Sequence, residues 1–494
     1  MRKLLLASAA LLGGSAAMAG SAFAQATPAP TPTTVPTPSF FTVLPSPTPG
    51  PGTITVRLNV RIAVNAGLSS DSGQNAQTVT TGATPTGVTL ASPNSKLSKF
   101  SIYEYGRFFP GFDGIAANGL KYGAAAELRQ DQGVPPGGGA NGSISGVDRS
   151  ANTIYWRREY VYFGTDQLGF IRAGMTDGPV SLYTTGTFEN FDTGGWNGDA
   201  PGFVTGGAGL VWPFADVGQT YTPSKIVYLS PQFAGFDFGG AFAPGTNNGP
   251  GGLGNCPYNT TAANGVVGPL TQGNATGCYT TQSTSVLGET ARPRNITELG
   301  ARYRASFGPV GLAATVQWYH TGKVADNATP QPLLQYDEES QGIGGFQLTY
   351  GGFAIGGAVQ GGAANIAGGG GFALKARGAP DEFDWVAGTS YAFGPFIVGA
   401  SYYRALSAGS KTSVAAGQSP FVGMRRESGV AAGGTYNFAP GMNVFLDYIY
   451  GTRHESGVDL LSGTTSSGTT PAGFVYTNNN TRAQVLMLGT AFRW

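Results

Sequence analysis

TITVRLNVRIAVN, residues 53 to 65, alternates without a break: Ile54, Val56, Leu58, Val60, Ile62 and Val64 fall on one face, and Thr55, Arg57, Asn59, Arg61, Ala63 and Asn65 on the other. Period two marks a strand with two unlike faces. In a soluble sandwich the apolar face packs on a second sheet; in a membrane barrel it meets lipid while the polar face lines water. One strand is compatible with both readings, and the remainder of the chain separates them.

Strand-like segments of about ten residues recur from here to the end, and their connections alternate between long and very short. The second to fifth lie at about 97 to 108, 119 to 130, 153 to 164 and 168 to 176. Then come KIVYLSPQF and GFDFGGAFA, and ITELGARYRASF and VGLAATVQWYH joined at Gly308-Pro309. QGIGGFQLTY and FAIGGAVQG turn at Gly351-Gly352, FDWVAGTSYAF and FIVGASYYRA at Gly394-Pro395, and ESGVAAGGTYNF and MNVFLDYIYG at Ala439-Pro440-Gly441. TRAQVLMLGTAFRW ends the chain. An even count of about sixteen strands, with short turns at one end and long loops at the other, predicts an all-β transmembrane antiparallel barrel over residues 53–494. Closure in lipid removes the two unpaired edges that an open sheet of this size would expose. Aromatics near strand ends (Phe108, Phe109, Trp318, Tyr402, Tyr403, Tyr448, Tyr450, Phe492 and Trp494) suit girdles at the two interfaces.

The start of the chain agrees with export. Arg2 and Lys3 precede an apolar stretch from Leu4 to about Met18, and Ala22-Phe23-Ala24 presents small residues around a cleavable bond, so residues 1–24 read as a signal peptide. Residues 25–52 are dominated by Pro and Thr, which excludes helix and sheet and is expected to leave an extended, disordered periplasmic segment, either a tail without a partner or a spacer or cell-wall contact. Gly reaches 80 of 494 residues while charged residues make up 11% and aromatics 12%, a composition that suits crowded barrel walls better than helices. The net charge of +1 gives no support to nucleic-acid binding. Cys256 and Cys278 share one Gly/Asn/Thr-rich segment; an even count in an exported chain suggests a disulfide, with two unpaired thiols as the alternative. That segment holds no His, so a metal site is not expected, and nothing indicates a cofactor.

One connection differs from the others. Residues 177–203, DGPVSLYTTGTFENFDTGGWNGDAPGF, form a long, glycine-rich loop with Asp177, Glu189, Asp192 and Asp199. It is expected to fold back into the barrel, with Gly194, Gly195, Gly198 and Gly202 taking backbone angles that other residues resist.

The order and spacing of the signal peptide, the hairpin KIVYLSPQFAGFDFGGAFA, the hairpin YNFAPGMNVFLDYIYG and the terminal AFRW resemble the general porins of the Gram-negative outer membrane, trimeric sixteen-stranded diffusion channels. The resemblance implies a water-filled channel for small hydrophilic solutes and ions, in which acids of the third long loop face basic residues of the wall. By position the acids are Glu189, Asp192 and Asp199, and the basic candidates are Arg57, Arg61, Arg129, Arg158 and Arg172. The pattern puts Arg57 and Arg61 inward but does not fix the side of Arg158. The resemblance also implies a homotrimer, contact with outer-membrane lipid and lipopolysaccharide, and barrel-assembly machinery reading Phe492 and Trp494; the family usually ends in Phe, and this chain departs from that. A structural or adhesive barrel is the alternative. An enzyme would want a His beside a nucleophile or acid, and neither His320 nor His454 stands in such an arrangement.

Overall fold

The computed structural model describes residues 49–74, 78–79, 90–91, 98–131, 154–188, 191, 194–205, 208–215, 217–218, 220, 223–245, 284–285, 294–322, 325–326, 337–366, 375, 377–409, 424–456, 460 and 479–494. The expected signal peptide, the Pro-rich segment up to residue 48, Cys256 and Cys278, and Glu189 and Asp192 lie outside the described residues. No helix among the described residues is long and apolar enough to cross a membrane.

Sixteen antiparallel strands close a barrel. They are β1 (Thr53–Asp71), β2 (Phe100–Ile115), β3 (Lys121–Asp131), β4 (Tyr155–Thr165), β5 (Gly169–Met175), β6 (Lys225–Leu229), β7 (Phe236–Gly245), β8 (Arg294–Phe307), β9 (Val310–Gly322), β10 (Ser340–Tyr350), β11 (Phe353–Ala363), β12 (Glu382–Phe393), β13 (Phe396–Ala408), β14 (Met424–Ala439), β15 (Met442–Glu455) and β16 (Asn480–Arg493). Each pairs with its sequence neighbours, and β1 pairs with β16 from Arg61↔Arg493 to Asp71↔Ala483, so the two ends of the chain complete the ring. Trp494 extends this seam by exchanging backbone hydrogen bonds with Val60 at 2.9 and 3.2 Å. Gly308, Gly351, Gly394 and Gly441 have φ of 60, 56, 52 and 75°, the left-handed conformation that tight hairpins demand.

The two faces of β1 match its alternation except at Val60, which is buried. Ile54, Val56, Leu58, Ile62, Val64 and Leu68 are exposed on the outside, while Arg61, Ala63, Asn65, Ser69 and Asp71 are buried on the inside. In water such an outer face would be costly; in hydrocarbon it is the favourable one. Aromatics form a rim at the short-turn end, where Phe353–Tyr391, Tyr391–Phe393, Phe393–Phe396 and Phe396–Tyr436 stand 4.2, 5.4, 5.4 and 4.6 Å apart. Trp385 and Tyr402, 5.3 Å apart, belong to a second rim nearer the long loops. Phe109 and Tyr403 depart from the expected girdle. Adjacent residues on a strand point to opposite faces, so Phe108 and Tyr402 take the outside while Tyr403, 1% exposed, packs inward on Trp212 at 5.2 Å.

The apolar core therefore lies inside the ring. It joins Phe188, Phe191, Trp196, Phe203, Leu210, Trp212 and Phe214 of the β5–β6 connection to Val386, Ile397, Tyr403, Ile449 and Met487 of the wall.

Candidate functional site

The inward face of β16, β1, β2 and β3 carries one row of arginines. Register places Arg493 opposite Arg61, Arg61 opposite Arg107, and Arg107 opposite Arg129. Four guanidinium groups thus cross four neighbouring strands, and Tyr105 lies among them with its ring centroid 5.3 Å from Arg61 and 4.3 Å from Arg107. Arginine stacks on aromatic faces in this way because its charge is delocalised and weakly hydrated. Of these four, Arg107 and Arg493 were not among the candidates. The alternation Tyr103, Tyr105, Arg107 in β2 and the terminal AFRW carried the signal for both, but bringing the two chain ends together requires the register.

Beside this row a β-bulge changes the local rule. Register shifts between Glu127 and Leu128, so that Arg158 opposes Glu127 and Trp156 opposes Leu128. The extra residue in β4 lets Arg157 and Arg158 both turn toward Glu127, which period two alone forbids. Glu127 accepts from Arg129 at 2.5 Å, Arg157 at 3.2 Å and Arg158 at 2.6 Å, and Arg158 also reaches Asp177 at 2.9 Å. A buried carboxylate is tolerated here because each oxygen has a charged donor. Asp177 begins the β5–β6 connection, and its carboxylate accepts from the Gly218 N–H at 2.9 Å near the connection's other end. One cluster thus fixes both feet of the loop.

Between its feet the loop follows the inner wall. Gln317 of β9 donates to the carbonyls of Pro179 and Val180 at 2.9 and 3.0 Å. Tyr183 donates to Phe238 of β7 at 2.9 Å, under the Arg302 guanidinium. Thr435 of β14 donates to the Phe191 carbonyl at 3.1 Å, and Trp196 donates to the Val430 carbonyl at 3.1 Å. Asp71 of β1 accepts from Thr205 at 2.5 Å. On the return, the Val211 N–H donates to Glu427 at 2.8 Å, and Gln360 of β11 donates to the Pro213 carbonyl at 3.0 Å.

Wall glycines give the loop its seats. A Cβ built on Gly388 would lie 2.8 Å from Phe188, one on Gly399 2.6 Å from Phe191, one on Gly429 or Gly451 2.5 Å from Trp196, and one on Gly67 2.7 Å from Phe203. These five strand glycines thus have a local cause: large loop aromatics press onto bare backbone. Within the loop, Gly194 and Gly195 use the left-handed region, with φ of 109 and 56°. Gly198, at φ −90°, and Gly202 do not, so only two of the four glycines expected to need that freedom do so.

Asp199 is the candidate loop acid within the described residues. Its Oδ2 accepts from Asn65 at 3.2 Å and Tyr105 at 3.1 Å, and its carbonyl accepts from Tyr103 at 2.6 Å. These partners belong to β1 and β2, so Asp199 leans on the arginine-bearing wall instead of facing it across the lumen. Arg57 pairs with Asp113 at 2.8 Å, and Arg172 lies over Tyr160 at 5.4 Å. On β12, Glu382 and Asp384 share one inward face, where the Gln360 amide donates to them at 2.9 and 3.4 Å. His320 stacks on Trp318 of the outer face at 5.0 Å, and His454 contacts Asn480 and Ser456.

Comparison with solved structures returns porins. The anion-selective porin from Comamonas acidovorans is 13% identical, with 90% of this chain and 100% of that chain covered at a TM-score of 0.48. Salmonella typhi OmpF, in complex with daunomycin, is 13% identical, with 89% and 97% covered at 0.45. Vibrio cholerae OmpT, a trimer form, is 12% identical, with 89% and 99% covered at 0.41. Comparison with curated proteins found no match. A family model described as Gram-negative porin matches residues 7–455, nearly the whole of the sixteen-stranded chain, and the protein belongs to that family.

Proposed function

We propose that this outer-membrane porin conducts small hydrophilic solutes and ions passively, with size set where the β5–β6 loop narrows the lumen and a preference for anions set by the arginine-bearing wall. The observation that carries the reading is the row Arg493, Arg61, Arg107 and Arg129 inside a closed barrel. With Arg157 and Arg158 this side of the lumen holds six guanidinium groups, against the carboxylates of Asp71, Glu127, Asp177 and Asp199, while Asp113 is paired with Arg57. Low-dielectric walls focus the excess positive field along the path of a permeating ion. Glu189 and Asp192 remain candidates for further negative charge on the loop, and Arg57 and Arg172 for positive charge nearer the short-turn end.

The same reading makes the assembly a homotrimer, inserted by barrel-assembly machinery that reads Phe492 and Trp494. Liposome swelling tests the channel directly. Vesicles bearing the protein are expected to swell in small sugars and progressively less as sugar size rises. No swelling in any sugar would favour a structural or adhesive barrel.

A further inference from the structure

Three buried carboxylates of the inner wall are each met by a cation: Glu127 by its arginines, Glu298 by Lys225 at 2.5 Å, and Glu427 by Arg425 at 2.5 Å. Glu382 and Asp384 of β12 are not. They share one inward face, are 2 and 0% exposed, and form no ion pair among the described residues. Lys375, which precedes β12, is taken by Asp337 and Asp381 at 3.2 and 2.6 Å.

Donors are scarce around this pair. Register sets Asp384 between Ala405, which has no polar side-chain group, and Gln360 of β11. The Gln360 amide nitrogen lies 2.9 Å from Glu382, 3.4 Å from Asp384 and 3.0 Å from the Pro213 carbonyl on the return of the β5–β6 loop. An amide carries two hydrogens, and here three acceptors converge on it. The second Asp384 oxygen accepts the Leu406 N–H at 3.1 Å. Glu382 Oε2 and Gln360 Oε1 are buried with no hydrogen-bond partner among the described residues. Buried carboxylates in proteins are paired with a base or bound to a metal, because an unmet charge in a dry site is costly. With no base beside it, this cluster of excess acceptors matches the second case.

We propose that Glu382 and Asp384, with the Pro213 carbonyl and the Gln360 amide oxygen, bind a calcium ion. Half a turn of the Gln360 amide presents its oxygen where its nitrogen now stands. Two carboxylates, an amide and a backbone carbonyl are hard oxygen donors without imidazole or thiolate, the set that calcium takes in irregular geometry and that magnesium, with its strict octahedron, takes poorly. Because Pro213 belongs to the loop and the acids to the wall, the ion would tie the loop's return to β12. It stands apart from the arginine row, so ion binding and conduction are separate properties.

The test uses the full-length protein in mild detergent, stripped with EDTA and titrated with Ca²⁺, and with Tb³⁺ as a luminescent probe that Trp212 beside Pro213 and Trp385 beside Asp384 can sensitise. Wild type is expected to bind one Ca²⁺ per chain, and Mg²⁺ at least about tenfold more weakly. The combined variant Glu382→Gln, Asp384→Asn is expected to bind Ca²⁺ about tenfold or more weakly than wild type, and the milder Glu382→Gln to fall between them, with heat-dependent electrophoretic mobility showing that each barrel is folded. Calcium is expected to slow protease cleavage of the β5–β6 loop in wild type and not in the combined variant, since a ligand of the docked state favours it. No Ca²⁺ uptake by wild type at millimolar concentration would overturn the proposal. Equal uptake by wild type and the folded combined variant would place the ion elsewhere, and protection of the loop by acid without calcium uptake would mean that the two carboxyls hold a proton instead; either result also overturns it. An open channel from calcium-free protein would leave the conduction reading standing whichever way the site is decided.

Discussion

Replacing Arg61, Arg107 and Arg493 together with glutamine is expected to move the reversal potential in a salt gradient strongly toward cation preference. The three side chains share one register row on the lumen wall, and glutamine retains much of their bulk and hydrogen-bonding capacity while removing the charge. At about 8 Å and an effective dielectric constant of about 40, one charge alters the energy of a passing ion by about 1 kcal/mol, or roughly five-fold in relative permeability. Screening by salt reduces this at the mouth of a pore more than at a narrow waist. The effect should therefore grow as ionic strength falls. Glutamine at Asp113, whose partner Arg57 lies nearer the short-turn end, serves as a comparison, with a smaller expected shift of the opposite sign, toward anions. An unchanged potential in the triple variant would show that ions do not pass along this wall.

Alanine at Phe191, Trp196 and Phe203 is expected to unseat the β5–β6 loop while leaving the barrel closed. These side chains are 0, 4 and 6% exposed and lie against Gly399, Gly429 with Gly451, and Gly67. Truncating a buried aromatic costs about 3–5 kcal/mol, and here the loss falls on docking of the loop, because wall pairing depends on backbone hydrogen bonds between strands. The feet at Asp177 and Gly218 stay held by Arg157 and Arg158. Single-channel conductance should rise and become noisier, and protease should cut the loop between its feet, while heat-dependent electrophoretic mobility stays that of a folded barrel. Unchanged conductance with a protease-sensitive loop would mean that this segment does not set the width of the path.

The strands were legible because lipid on one side and water on the other impose period two on every crossing, and because Gly-Pro and Gly-Gly mark the tight turns. β1 needed only its own alternation to place Arg57 and Arg61 inward. Arg158 was not legible, since its direction depends on a bulge set by the cluster around Glu127. Arg493 could not be grouped with Arg61 without the register that joins first strand to last. Tyr403 looked like its neighbour Tyr402 in composition and differs from it only in parity. The loop's position was suggested by its length and acids, yet its means of attachment lies in pairs such as Phe191 on Gly399 that no local pattern links. Asp199 was picked out by charge alone, which says nothing about which wall it touches; Asn65, Tyr103 and Tyr105 decide that.

Single-channel recording of the purified wild-type protein in planar bilayers, under a salt gradient, tests the account most directly. It predicts a large, steady open state whose reversal potential has the sign of an anion-preferring pore. A barrel with no steady open state, or one whose potential has the cation sign at low salt, would contradict it.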